Sequence, residues 1–203
     1  MIQQYLYSLL LWIIEDFNTR LKYVDKSEIR RIANEEFSES DIVSKLAWCC
    51  HGLANINYRG NDIVIKPLDF AIELKFLRNF KSQSGYYSSK TMWKEVSKDF
   101  SWLEKEINRG YKGKRAFIIC WFNIYDYMGE VIQLGKHAGQ SPKANEQRIK
   151  YFPFLRKDGQ KTKEYTVDYE KAFKELTLSI PETNINCMFI GRETDKFHIA
   201  LYW

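Results

Sequence analysis

The run Asp69-Phe-Ala-Ile-Glu-Leu-Lys-Phe76 constrains the fold more than any other stretch of this chain. Read as a strand, it sends alternate side chains to opposite faces. Phe70, Ile72, Leu74 and Phe76 make one unbroken apolar face that has to lie on a core. Ala71, Glu73 and Lys75 make the other, with a carboxylate and an ammonium about 7 Å apart at their α-carbons. A second strand-like run, Asp62–Ile65, precedes it through Lys66-Pro-Leu-Asp69, and proline suits a turn there. Closing that turn on Pro67 and Leu68 pairs Lys66 with Asp69 and sets Asp62 opposite Glu73. Opposed Cβ atoms lie about 4.5–5.5 Å apart, where like charges are destabilising.

A divalent cation between the two acids removes that conflict. Hard oxygen ligands at this separation suit magnesium, which takes one or two carboxylates together with waters and a substrate phosphate. Asp62, Glu73 and the backbone carbonyl of Leu74 are the candidate ligands, with manganese as a substitute for magnesium. Such an ion activates water and neutralises charge on a phosphate. Lys75 stands beside it, placed to orient the water or stabilise the transition state. These parts describe phosphodiester hydrolysis. Glu73 and Lys75 also fit a plainer reading, an ordinary ion pair on a solvated strand face, which contributes little to stability.

Flanking periodicity supplies the remaining elements. Residues 2–20 read as a helix with Tyr5, Leu6, Leu9, Ile13 and Phe17 on one stripe. A short helix is expected over 26–35. Ser38 caps another that runs to about His51, with Ile42, Leu46 and Cys49 or Cys50 inward. Trp93, Val96, Phe100, Leu103 and Ile107 recur at helical spacing over 90–107. Arg115–Phe122 is a dense apolar strand, residues 168–177 are expected to be helical, and 184–191 with 196–203 form a hairpin turning at Glu193-Thr-Asp195. Residues 78–90 read as a loop. One α/β domain over 1–203 accounts for this order.

Here the residues resemble the PD-(D/E)XK nucleases, whose signature is an acid at the start of one strand and acid-x-Lys on the next. Asp62, Glu73 and Lys75 match those positions. Ser38-Glu-Ser-Asp-Ile-Val-Ser-Lys-Leu-Ala-Trp48 is similar to the first core helix of many members, where an acid can complete the metal site. Glu39 is the first choice for that role and Asp41 the second. The resemblance covers about 38–122 and implies a restriction-endonuclease-like core. That core is a mixed central sheet flanked by helices, with an extra N-terminal helix and a C-terminal hairpin. One departure stands out: Asn61, not proline, precedes Asp62, and the chain's Pro-x-Asp falls at Pro67-Leu-Asp69.

The resemblance implies a Mg²⁺-dependent endonuclease acting on nucleic acid, DNA by preference. The alternative is an inactive nuclease-fold binding protein, such as an inhibitor, immunity protein or nucleic-acid-binding subunit. Lys90, Lys94 and Lys98 share one helix side and could hold a phosphate backbone, although such lysines are as often simply solvated. Tyr86 and Tyr87 are placed to stack on splayed bases, whereas Trp93 and Trp102 read as core and rim. Between Lys136 and Lys163 there are eight Lys or Arg against two acids, which suits phosphate contacts or a solvated loop equally.

The net charge of +5 permits a polyanionic partner. Cys49, Cys50, Cys120 and Cys187 make no C-x-x-C pair and only three histidines accompany them, which argues against structural zinc. Free thiols fit a reducing cytoplasm. The apolar run Leu9–Ile14 is too brief to span a bilayer and lacks the flanks of a signal peptide. No membrane association is expected, and the first helix could serve a homodimer.

Overall fold

The computed structural model describes residues 2–58, 60–77, 89–124, 128, 146–157 and 165–203. Its elements run α1 (Ile2–Arg20), α2 (Lys26–Arg31) with a π turn at Ile32–Glu36, α3 (Glu39–Cys49), β1 (Ala54–Tyr58), β2 (Asn61–Ile65), β3 (Phe70–Phe76) and α4 (Ser89–Glu106). There follow β4 (Arg115–Phe122), α5 (Glu146–Ile149), β5 (Leu155–Lys157), β6 (Tyr165–Val167), α6 (Tyr169–Lys174), β7 (Leu178–Ser179), β8 (Asn186–Ile190) and β9 (Phe197–Tyr202). Seven strands form one mixed sheet in the order β1-β2-β3-β4-β9-β8-β7, and β5 and β6 pair separately. Among the described residues only β3 and β4 are parallel neighbours, with α4 in the crossover between them. The chain is an α/β protein with a mixed sheet flanked by helices.

The turn between β2 and β3 follows from its residues. Lys66–Leu68 form one 3₁₀ turn with Pro67 inside it, and Asp69 closes the turn in the left-handed region at φ 49°. Aspartate is among the few residues that visit that region at modest cost. The resulting register pairs Ile65 with Phe70 and Ile63 with Ile72.

The sheet buries both faces, as the apolar density of β4 requires. Phe117 and Trp121 face α4 and the segment after it, and the Phe117 ring meets Phe100 edge-on at 5.0 Å. Phe122 faces the opposite layer, edge-on to Phe17 of α1 at 5.2 Å and to Phe37 at 5.1 Å. The helical spacing expected for α4 holds: Trp93, Val96, Phe100, Leu103 and Ile107 are all buried.

Three expectations change in whole or in part. Tyr5 is 69% exposed, and the buried residues of α1 are Leu6, Leu10, Ile13, Ile14 and Phe17, with Leu9 partly buried beside them. Of the two cysteines, Cys49 is exposed and Cys50 packs half-buried against the core, and Val43 and Ala47 join Ile42 and Leu46 as the inward positions of α3. The C-terminal hairpin is no appendage to a core at 38–122. Strand β9 pairs with β4 from Phe117–Tyr202 to Phe122–Phe197, so the hairpin occupies the middle of the sheet. Strand β1, rich in polar residues, was not foreseen; among the described residues it pairs only with β2 and forms the sheet edge.

All four cysteines are free. Among the described residues no helix is long and apolar enough to cross a membrane.

Candidate active site

Strand β2 is shorter than β3, and the site forms where it runs out. The β2–β3 pairing ends at Ile63–Ile72. One further step in the same register sets Asp62 opposite Glu73, as the turn arithmetic predicts. The amides of β3 that point toward β4's side are taken there, Ala71 by Lys114 and Leu77 by Cys120. The alternate amides of Leu74 and Phe76 face the side that β2 vacates. They are capped by carboxylates: Leu74 N–H donates to Asp62 Oδ2 at 2.7 Å, and Phe76 N–H donates to Glu39 Oε2 at 3.0 Å. The backbone of β3 thus fixes two of the acids directly.

Glu39 reaches the strand because it is the first residue of α3. Asp41, the second choice for this role, is consumed by capping: its carboxylate accepts from Ser38 N–H at 2.7 Å and Ser38 Oγ at 2.8 Å. A fourth carboxylate, Asp99 of α4, is 6% exposed and was not foreseen. Its signal lies in the helical spacing, since it is the one acid on the face shared by Val96 and Leu103.

Lys75 ties the group together. Its Nζ donates to Glu39 Oε1 at 3.1 Å and to the Leu74 carbonyl at 2.8 Å, and lies 3.4 Å from Asp99 Oδ2. Burial works to lower its pKa, but the charges of Glu39, Asp99 and Asp62 outweigh it and hold the ammonium protonated. The Leu74 carbonyl, the expected third metal ligand, accepts from this ammonium and keeps a second lone pair.

Four carboxyls therefore surround one ammonium, and burial raises three of them. For Glu39 and Asp99, burial pushes the pKa up while Lys75 opposes it. Glu73 moves furthest, to about 8, through burial first, then the charges of Asp62 and Asp99, with hydrogen bonding to Asp62 adding to the rise. Glu73 is only 8% exposed. Among the described residues neither Asp62 nor Glu73 pairs with a lysine or arginine. Without a cation, the acid pair keeps a proton at neutral pH.

Among the described residues no three His, Cys, Asp or Glu side chains converge to hold a metal by themselves. Two adjacent hard carboxylates, Glu73 buried and Asp62 half-exposed, are the donor type that suits an ion whose other positions are filled by water and phosphate.

The other expected contacts are dispersed. Lys94 and Lys98 are exposed on α4, and Lys98 lies 3.9 Å from Glu95. Lys90 begins the same helix, but its side chain, like Tyr86 and Tyr87, lies outside the described residues. Most of the basic segment at 136–163 lies outside them too. Of its described members Arg148 is buried, with its guanidinium over Trp93 at 4.7 Å, so it acts in the core and not as a phosphate ligand. Trp93 is core and Trp102 rim, as expected. Comparison with protein-family models, with curated proteins and with solved structures returns no match.

Proposed function

We propose that this chain is a Mg²⁺-dependent endonuclease with a restriction-endonuclease-like core, hydrolysing phosphodiester bonds in DNA. The observation that carries this reading is the Asp62–Glu73 pair: two adjacent carboxyls, Glu73 nearly buried, with no ion-pair partner among the described residues and Glu73's pKa raised despite the nearby charge of Lys75. The element order supports it, with a helix bearing Glu39, a hairpin bearing the acids and Lys75, a crossover helix and a parallel strand.

Asp62 and Glu73 would hold the ion. When bound, magnesium supplies a Lewis acid that lowers the pKa of water and neutralises charge on the scissile phosphate. Glu73 must first lose its proton, which links activity to pH. Asp62 stays oriented by the Leu74 amide. Lys75, fixed by Glu39 and Asp99 beside the pair, would supply a positive charge to steady the negative charge that develops on the phosphate. Asp99 is a positioning residue that acts through Lys75.

The test is incubation of plasmid and single-stranded DNA with protein in Mg²⁺, in Mn²⁺ and in EDTA. Cleavage in either metal, absent in EDTA and lost in Glu73→Gln and Lys75→Met, supports the reading. Binding without cleavage at any metal concentration would favour an inactive nuclease-fold binding protein. Equal cleavage by wild type and both variants would mean a contaminating nuclease.

A further inference from the structure

A cleft of about 550 Å³ opens beside the acid pair, on the same face of the sheet. Its floor is Val64 and Ala71, each two residues along its strand from Asp62 and Glu73. That spacing is about 7 Å, within reach of a base flanking a phosphate held at the acids. One wall is Tyr58 and Lys66 from the β1–β2 edge, and the other is Trp102 of α4. The small side chain of Ala71 leaves the space open between them. The volume lies within the range of small-ligand pockets.

The chemistry of the walls is that of a base seat. Trp102 and Tyr58 are partly buried aromatics whose surfaces line the cleft. Lys66 Nζ stands 4.1 Å from the Tyr58 ring centroid, and among the described residues no carboxylate pairs with it. At the far end Arg115 is held by Glu106 at 3.0 Å and by the Asp69 carbonyl at 2.6 Å, and stacks 4.1 Å over Tyr111. Aromatic faces with the Lys66 ammonium beside them suit a nucleobase and its phosphate, while Arg115, ion-paired to the lining carboxylates Glu106 and Asp69, braces the far wall. A base paired within a duplex hides both faces in its stack and cannot lie against Trp102.

The geometry points to this cleft as the seat of an unpaired nucleobase next to the scissile phosphate, making single-stranded or locally unpaired nucleic acid the preferred substrate. This assignment rests on the hydrolase reading of the acid pair.

Fluorescence anisotropy in EDTA, with a labelled single-stranded oligodeoxynucleotide and its fully paired duplex, tests it without turnover. The expected result is at least about tenfold tighter binding of the single strand, with Trp102→Leu weakening it about tenfold and leaving the duplex unaffected. Lys66→Ala, an exposed turn position, should weaken the single strand about threefold to tenfold and guards against a folding defect in the tryptophan variant. Equal or tighter duplex binding, no binding, or insensitivity to both substitutions overturns the proposal. Trp102-dependent binding with no cleavage in Mg²⁺ would remove the hydrolase and keep the cleft. Cleavage of both substrates, unchanged in both variants, would keep the hydrolase and remove the cleft.

Discussion

Asp62 and Glu73 face each other one step beyond the last pair of the β2–β3 ladder, close enough for Asp62 to raise the Glu73 pKa by charge and by hydrogen bonding. The folded chain holds a proton on Glu73 up to about pH 8, whereas the unfolded chain gives it up near 4.5. The unfolded state binds fewer protons across that window, so stability falls as pH rises through it and levels off above. Glu39 and Asp99, also raised by burial, act in the same direction. Asp62→Asn should lower the Glu73 pKa, flatten the decline and raise metal-free stability at pH 8 by about 1 kcal/mol. Chemical denaturation in EDTA from pH 5 to 9 reads this. An unchanged slope would count against the pairing.

Among the described residues Lys75 is the one ammonium between Glu39 and Asp99. Lys75→Met should cost roughly 2–4 kcal/mol, because the remaining carboxylates stay buried without a partner. Adding Asp99→Asn should recover part of that loss, since it removes one of the stranded charges. Denaturation midpoints of the single and double variants measure the coupling, and strict additivity would show that the two residues do not act together.

Which acid enters the site is decided at the start of α3. Ser38 and Asp41 cap the helix and Glu39 reaches β3. Asp41→Ala should cost about 1 kcal/mol through lost capping. It should also slow cleavage several-fold, because the turn that aims Glu39 loosens. Glu39→Gln, by comparison, keeps the cap and should change activity more than stability. Parallel melting and rate measurements separate the two effects.

Much of this arrangement was legible in the sequence. The alternation along Phe70–Phe76 and the short turn at Pro67 gave the Asp62–Glu73 register, because strand periodicity and turn length are local properties. Helix α4 was equally clear from its apolar spacing. Asp99 was missed because one acid on an apolar helix face has meaning only once the strand beneath it is known. The Lys75 contact to Leu74's carbonyl depends on the reach of a long side chain, which strand alternation alone does not give. Strand β1 lacks apolar alternation, as an edge strand facing solvent can. The place of the C-terminal hairpin, between β4 and the sheet edge, depends on pairing across some 80 residues of sequence.

That pairing carries a prediction of its own. A fragment limited to residues 38–122 lacks β9, which pairs with β4 from Phe117 to Phe122, and lacks α1, which supplies Phe17 to the core. It should be unfolded or aggregated by circular dichroism, whereas the full chain should melt cooperatively. A cooperatively folded fragment would show that the two termini are additions after all.

The acid pair as a cation site is tested most directly by calorimetric titration of Mn²⁺ into metal-free protein at pH 7 in buffers of different ionisation heat. The account predicts one ion bound near Asp62 and Glu73, release of a substantial fraction of a proton as Glu73 deprotonates, and loss of both signals in Glu73→Gln. Binding that is absent in the wild type, or undiminished and proton-neutral in Glu73→Gln, would contradict it.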